Sequence, residues 1–203
     1  MRSVPSLLAL LALGAAAAAE PALPDVRDVA GDTLTVLYDG GDAVLLDFRF
    51  PPAISLPDHA TGPRAVLVMS DGLIERTTGA TAGQRTELRA GSALWLEGRR
   101  GNGFVNAGDG ELRYLVFQPH GEAPLGQPCE PEVLIHGEGI VERLLDAPLA
   151  MIWRVTVRGE AWLQLGEGTR QGVAVLSDGR VPALRTGEVL HFTDGSALYF
   201  CNR

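Results

Sequence analysis

The side chains equipped for chemistry in this 203-residue chain are few and widely spaced. Histidine occurs singly at His59, His120, His136 and His191, with no His-x-His or His-x-x-x-His pair. A lone histidine in such a setting is either a surface or hydrogen-bonded residue or an isolated ligand. Lysine is absent: all 17 basic residues are arginine, which excludes a Schiff-base lysine, a pyridoxal phosphate anchor and a P-loop lysine. Ser70 and Ser177 stand beside aspartate in "MSDG" and "LSDG", but no Gly-x-Ser-x-Gly elbow surrounds them, so they read as turn residues. Glu97 lies next to Trp95 and the pair Arg99-Arg100. It is either an acid/base group or carboxylate–guanidinium clamp in a pocket, or part of a solvated loop with a surface ion pair. Trp95, Trp153 and Trp162 either stack on a planar ligand such as a sugar ring or pack in a core.

Composition narrows the partners. With 25 acidic residues the net charge is -8, so neither nucleic acid nor an anionic membrane surface is expected to bind. The first residues combine Arg2, an apolar stretch from Leu7 to Leu13 and a small-residue site at Ala17-Ala18-Ala19. This pattern is a secretory signal over residues 1–19, cleaved after Ala19, which places the remainder in the periplasm or outside the cell. The segment is short for a spanning helix, and no cysteine follows the cleavage point, so no membrane anchor is expected. Export leaves Cys129 and Cys201 in an oxidising compartment. One disulfide closing a long loop is the simplest prediction, with two buried thiols as the alternative. Neither their count nor their spacing suits a CxxC redox motif or a cysteine-rich zinc site.

These groups must be held by strands. Runs rich in Val, Leu and aromatics occur at Thr33–Tyr38, Ala43–Phe50, Ala65–Ser70, Ala93–Leu96, Leu112–Gln118, Met151–Val157, Ala161–Leu165, Val173–Leu176 and Glu188–Phe192. Asp-Gly turns such as Asp71-Gly72 and Asp178-Gly179 separate many of them, and no convincing helix appears. The expected class is all-β, an antiparallel sandwich or barrel. A shift of 96 positions lays residues 64–106 over 160–202 without a gap, with 10 identities in 43 positions. They include Ala65/Ala161, Leu67/Leu163, Leu88/Leu184, Gly91/Gly187, Leu94/Leu190 and Asn106/Asn202. We therefore expect two copies of one β-unit, at residues 30–120 and 129–203, joined by the Pro/Gly/Glu stretch "FQPHGEAPLGQPCEPEV". The second copy ends before a closing strand, and the run at 33–38 is the expected filler of that open edge.

Within each copy the glycine spacing resembles the cupin superfamily, whose small jelly-roll barrels carry two short motifs. "GSALWLEGRRGNGFVN" and "GEVLHFTDGSALYFCN" have the terminal Gly and Asn of the second motif. "HATGPRAVLVMSDG" has His59 at the first histidine of the first motif and Gly72 at its terminal glycine. The resemblance implies two cupin-like jelly-roll (double-stranded β-helix) barrels in one chain, and a homodimer is a common state in that family. Cupin enzymes hold a divalent metal with three His and one Glu. The corresponding positions here are His59, Thr61, Ala65 and Asn102 in the first copy, and Val155, Val157, Ala161 and Leu198 in the second. Such sets lack the three good ligands a catalytic metal needs, so no metal and no cofactor are expected. Glu97 stands where the family has proline.

Three functions remain open. The first is an exported, metal-free binding or structural module, with His59, Thr61, Asn102, Trp95 and Glu97 as candidate contacts for a small polar ligand. The second is a cupin-type enzyme acting on a small organic molecule or sugar around His59. The third is a protein-interaction component of an envelope complex.

Overall fold

The structure is a computed structural model describing residues 22–98, 101–120, 129–165 and 171–202. The expected signal at 1–19, Arg99-Arg100 and much of the linker, 121–128, lie outside the described residues. The first half holds a single α-helical turn, α1 (Val26–Val29), then β1 (Leu34–Asp39), β2 (Ala43–Phe50), β3 (Ser55–Leu56), β4 (Arg64–Val68), β5 (Gly72–Arg76), β6 (Arg85–Leu88), β7 (Ala93–Leu96), β8 (Phe104–Asn106) and β9 (Leu112–Pro119). The second half holds β10 (Pro131–Asp146), β11 (Ala150–Leu165), β12 (Gln171–Leu176), β13 (Ala183–Arg185) and β14 (Val189–Asn202). The all-β expectation holds, and α1 with two 3-10 turns, at Gly31–Thr33 and Gly79–Thr81, is the departure from a helix-free reading. Asp25 starts that turn by accepting the Arg27 N–H at 2.8 Å.

The first half is a jelly roll. One sheet has the order β1-β2-β9-β4-β7 and the other β3-β8-β5-β6, all pairs antiparallel. Strand alternation sends Val44, Leu46, Phe48 and Phe50 of β2 inward, with Val66 of β4 and Leu112, Tyr114 and Val116 of β9. Ile74, Leu88 and Phe104 from the opposite sheet pack against them. The Phe48 and Tyr114 rings stack at 5.1 Å and Phe50 meets Phe104 edge-on at 5.2 Å, so aromatic contacts bridge the sheets.

The second half is one sheet in the order β10-β11-β14-β12-β13, bent around its own core. Odd-numbered residues of β11 from Met151 to Leu165 face that core, with Leu190 and Phe192 of β14. The bend falls where Gly137 and Gly159 oppose each other. Both have positive φ, and a Cβ on either would meet the partner strand's carbonyl oxygen at 2.2–2.3 Å. Register slips between Val157 and Glu160, and Asp194, at φ 39°, reaches across to accept the Gly159 N–H at 2.8 Å. That bulge changes the parity of β14, so Ala197, Tyr199 and Cys201 face the core beyond it. The Cys129–Cys201 disulfide ties the start of this half to its last strand.

Two expectations about the second half need correction. The run at 33–38 does not close it: among the described residues β1 pairs with β2 alone. The place beside β11 is taken instead by Pro131–His136 of β10, paired with Glu160–Leu165. The gapless 96-residue register also fails for β4. Ala65 and Leu67 face away from the first core, whereas Ala161 and Leu163 face into the second. Pairing shows the offset: Val66 lies opposite Leu94, and Leu163 opposite Leu190, so β4 maps at 97 while β7 maps at 96. A one-residue slip inverts every side chain of a strand.

The two halves share a third core. Ala43, Leu45, Ala65, Leu67, Leu115 and Phe117 on the outer face of the first barrel pack with Ala150, Ile152, Val173, Leu198 and Phe200 of the second half. Rings of Phe117 and Phe200 approach to 5.8 Å across this junction.

Candidate functional site

The space between the two sheets of the first barrel is not filled. A cavity of about 150 Å³ lies there, walled by Phe48, Val66, Val68, Ile74, Leu88, Phe104, Tyr114 and other apolar side chains. It meets solvent along the gap between the edge strands β6 and β7, where Thr86 and Leu94 line it and remain exposed. Apart from Thr86 and Tyr114 its polar lining is gathered at one end, and chain direction explains why. Strand β4 leaves that end at Arg64, and β5 returns to it at Arg76 on the opposite sheet. Residues 57–63 and 101–103 precede β4 and β8 at the same end, so His59, Thr61 and Asn102 join them, with Gln118 of β9. The N-terminal turn is fastened alongside by the Ala60 N–H donating to the Pro24 carbonyl at 3.0 Å, which brings Val26 into the lining.

Several of the polar groups are held in a defined state. The His59 Nδ1–H donates to the Pro57 carbonyl at 2.8 Å, which leaves Nε2 as an acceptor. Burial holds the imidazole below its ordinary pKa, the Pro57 bond opposing that shift. The Asn102 amide donates to the Thr61 hydroxyl at 2.6 Å and so locks the two loops together. Arg64 donates to the Gly62 carbonyl at 3.1 Å. Burial pushes the Tyr114 phenol far above its ordinary pKa, so it stays protonated.

The depressed His59 pKa has a stability consequence. An unfolded histidine titrates near 6.5, so below that pH the unfolded chain takes up a proton that the folded ring resists. The contribution is complete above the unfolded pKa and is lost as pH falls from there toward the folded pKa. We expect the drop in melting temperature between about pH 7.5 and about pH 5 to be smaller in His59→Gln than in wild type. Equal drops would assign the acid sensitivity to other groups.

Of the candidate contacts, His59, Thr61 and Asn102 come together in the cavity, and Trp95 and Glu97 do not. The reason is strand parity: Leu94 and Leu96 of β7 face the cavity, so Trp95 faces the junction between the halves. Glu97 accepts the Trp95 indole N–H at 2.8 Å on the exposed side. Sequence reasoning missed Arg64, Arg76 and Tyr114. The signal available was the inward parity they share with Val66, Ile74 and Val116.

The metal-binding positions implied by the cupin resemblance do not fit a metal. His59 offers one nitrogen, the Thr61 hydroxyl is engaged by Asn102, and Ala65 points into the junction. Among the described residues no group of three His, Cys, Asp or Glu is placed to hold a metal ion. In the second half Val155, Val157 and Ala161 belong to the packed core, while Leu198 faces the junction rather than the interior, contrary to the register expected for it. The remaining histidines are elsewhere. His136 and His191 flank Trp162 on the outer face of the second half, at 5.1 and 4.9 Å between rings, and the backbone of His120 bonds to Asp42.

Solved structures that this chain is similar to include a cupin domain from Bordetella pertussis, at 19% identity over 43% of this chain and 92% of that one, with a TM-score of 0.41. AerE from Microcystis aeruginosa matches at 12% identity over 83% of this chain and 85% of that one, with a TM-score of 0.49. Salicylate 1,2-dioxygenase from Pseudoaminobacter salicylatoxidans matches at 13% identity over 88% and 72%, with a TM-score of 0.40. No family model matches the chain, and a search among curated proteins finds no match. The cupin resemblance holds at the level of fold, where the strand order of the first barrel is that of a jelly roll.

Proposed function

We propose that this is a small-molecule-binding protein whose first barrel holds its ligand without a resident metal, and whose second half is a packed structural partner. One contrast carries the reading. The first barrel keeps an apolar-walled cavity with polar groups converging at one end, while the matching interior of the second half is occupied by Trp153, Phe192, Tyr199 and aliphatic side chains. The donor set around His59 supports metal-independent binding, since it supplies hydrogen-bonding groups rather than ligands. The disulfide supports a working place outside the cytoplasm.

A cavity of about 150 Å³ is of the size that admits a benzene ring. The test is calorimetric titration of EDTA-treated protein with benzamide. Saturable binding is expected, and it is expected to be lost in Leu94→Trp, where the indole occupies the cavity from an exposed edge-strand position. Thr86→Trp fills the same gap from β6 and serves as the second variant. Binding that appears only after iron, manganese or zinc is added would overturn the proposal, as would binding that survives both substitutions.

A further inference from the structure

We infer that the ligand of the first barrel is a small organic anion, a carboxylate on an apolar body, and that Arg76 is the group that selects its charge. This rests on the binding reading above and adds the chemical class. The chain is acidic overall, at -8, yet among the described residues its cavity is lined by two arginines, one histidine and no aspartate or glutamate. Composition alone leads to the opposite expectation.

Arg76 is the more telling of the two arginines. On β5 its neighbour Glu75 faces outward and pairs with Arg85 at 2.8 Å. Arg76 shares the inward parity of Ile74 and reaches the cavity. Its Cα lies opposite Phe104, and it has no carboxylate partner among the described residues. Placing a guanidinium on an inner wall costs solvation unless an acceptor arrives to meet it. A carboxylate is the acceptor whose geometry suits the guanidinium fork, through paired charge-assisted hydrogen bonds. Chain topology puts Arg64 on the facing sheet at the same end, and Arg64 adds positive charge there while bonded to Gly62.

The rest of the lining completes the description. Asn102, Thr61 and Gln118 are neutral hydrogen-bonding groups at the polar end. The Tyr114 phenol, kept protonated by burial, carries no negative charge that would oppose an anion. Away from this end the walls are Val68, Ile74, Leu88 and Leu94, which match an aryl or short alkyl body.

The test uses matched probes on the full chain: benzoate, its neutral isostere benzamide, and acetate, which has the charge without the ring. Wild-type protein is expected to bind benzoate at least ten-fold more tightly than either of the others. Arg76→Gln is expected to abolish the preference for benzoate while leaving benzamide affinity within about two-fold, a split that general loss of structure does not produce. Equal affinity for benzoate and benzamide in wild type overturns the charge assignment and leaves the cavity reading standing. A preference retained in the Arg64→Gln/Arg76→Gln double variant overturns the role of the arginines. Acetate binding as tightly as benzoate overturns the apolar body. Absence of binding by all three probes overturns the cavity reading together with this one.

Discussion

The Cys129→Ala/Cys201→Ala double variant is expected to unfold well below wild type. The two cysteines are 72 residues apart in sequence, and joining them removes chain freedom from the unfolded state alone. For a loop of that length the chain-entropy treatment assigns about 4 kcal/mol. For a chain of this size that corresponds to roughly 8–16 °C in melting temperature. The position adds to the effect. Cys129 lies two residues before the start of β10, and Cys201 lies near the end of β14, so the bond anchors an edge strand to the centre of its own sheet. Both side chains are buried, and alanine leaves only small gaps in their place. Thermal unfolding followed by circular dichroism decides it: a melting temperature within a degree or two of wild type would mean that the unfolded chain is already compact enough to hold these ends together.

Phe117→Ala should cost about as much, for a different reason. Phe117 is fully buried, but it faces away from the first barrel's own core and packs with Phe200 between the two halves. Removing such a ring costs about 3–5 kcal/mol, from lost apolar burial and from the cavity left behind. The shared core makes a further outcome specific. Wild type is expected to unfold in one transition, because neither half keeps its apolar outer face covered without the other. In a double-mutant cycle Phe117→Ala and Phe200→Ala should couple by about 0.5–1.5 kcal/mol, the range for interacting aromatic pairs. Denaturant unfolding of the four proteins measures this. Additive losses would show that the rings contribute only through separate burial, and two resolved transitions in wild type would show that the halves are independent.

Much of the fold was legible because strands announce themselves through local composition. "AVLLDFRF" is a strand as expected at Ala43–Phe50, and "ALWL" at Ala93–Leu96. Strand β10 was missed because Gly137, Glu138 and Gly139 interrupt its apolar residues. Those glycines let the strand bend against β11, a need that no local pattern displays. The short strands β3 and β8 carry too few residues to show a period, though β8 helps to place Asn102.

The candidate site was half legible. The spacing around His59 grouped His59, Thr61 and Asn102, and the structure places all three in the lining of one cavity, in loops at one end of the barrel. Trp95 was misplaced because both faces of β7 meet apolar surroundings, Leu94 in the cavity and Trp95 at the junction. When both faces are apolar, alternation stops telling inside from outside.

By itself, then, the amino-acid sequence determined the all-β class, the number and chemistry of the groups available, and the only cysteine pair. These depend on residue types and short spacings. Tertiary structure alone decided that β10 flanks β11 where β1 was expected, that β4 is offset by 97 rather than 96, and that Arg76 faces a cavity with no carboxylate among its described lining residues. Those outcomes turn on which strands pair and on one-residue differences in register. A single slip exchanges the faces of a strand, and pairing energy comes from residues far apart in the chain, so local sequence does not carry that choice.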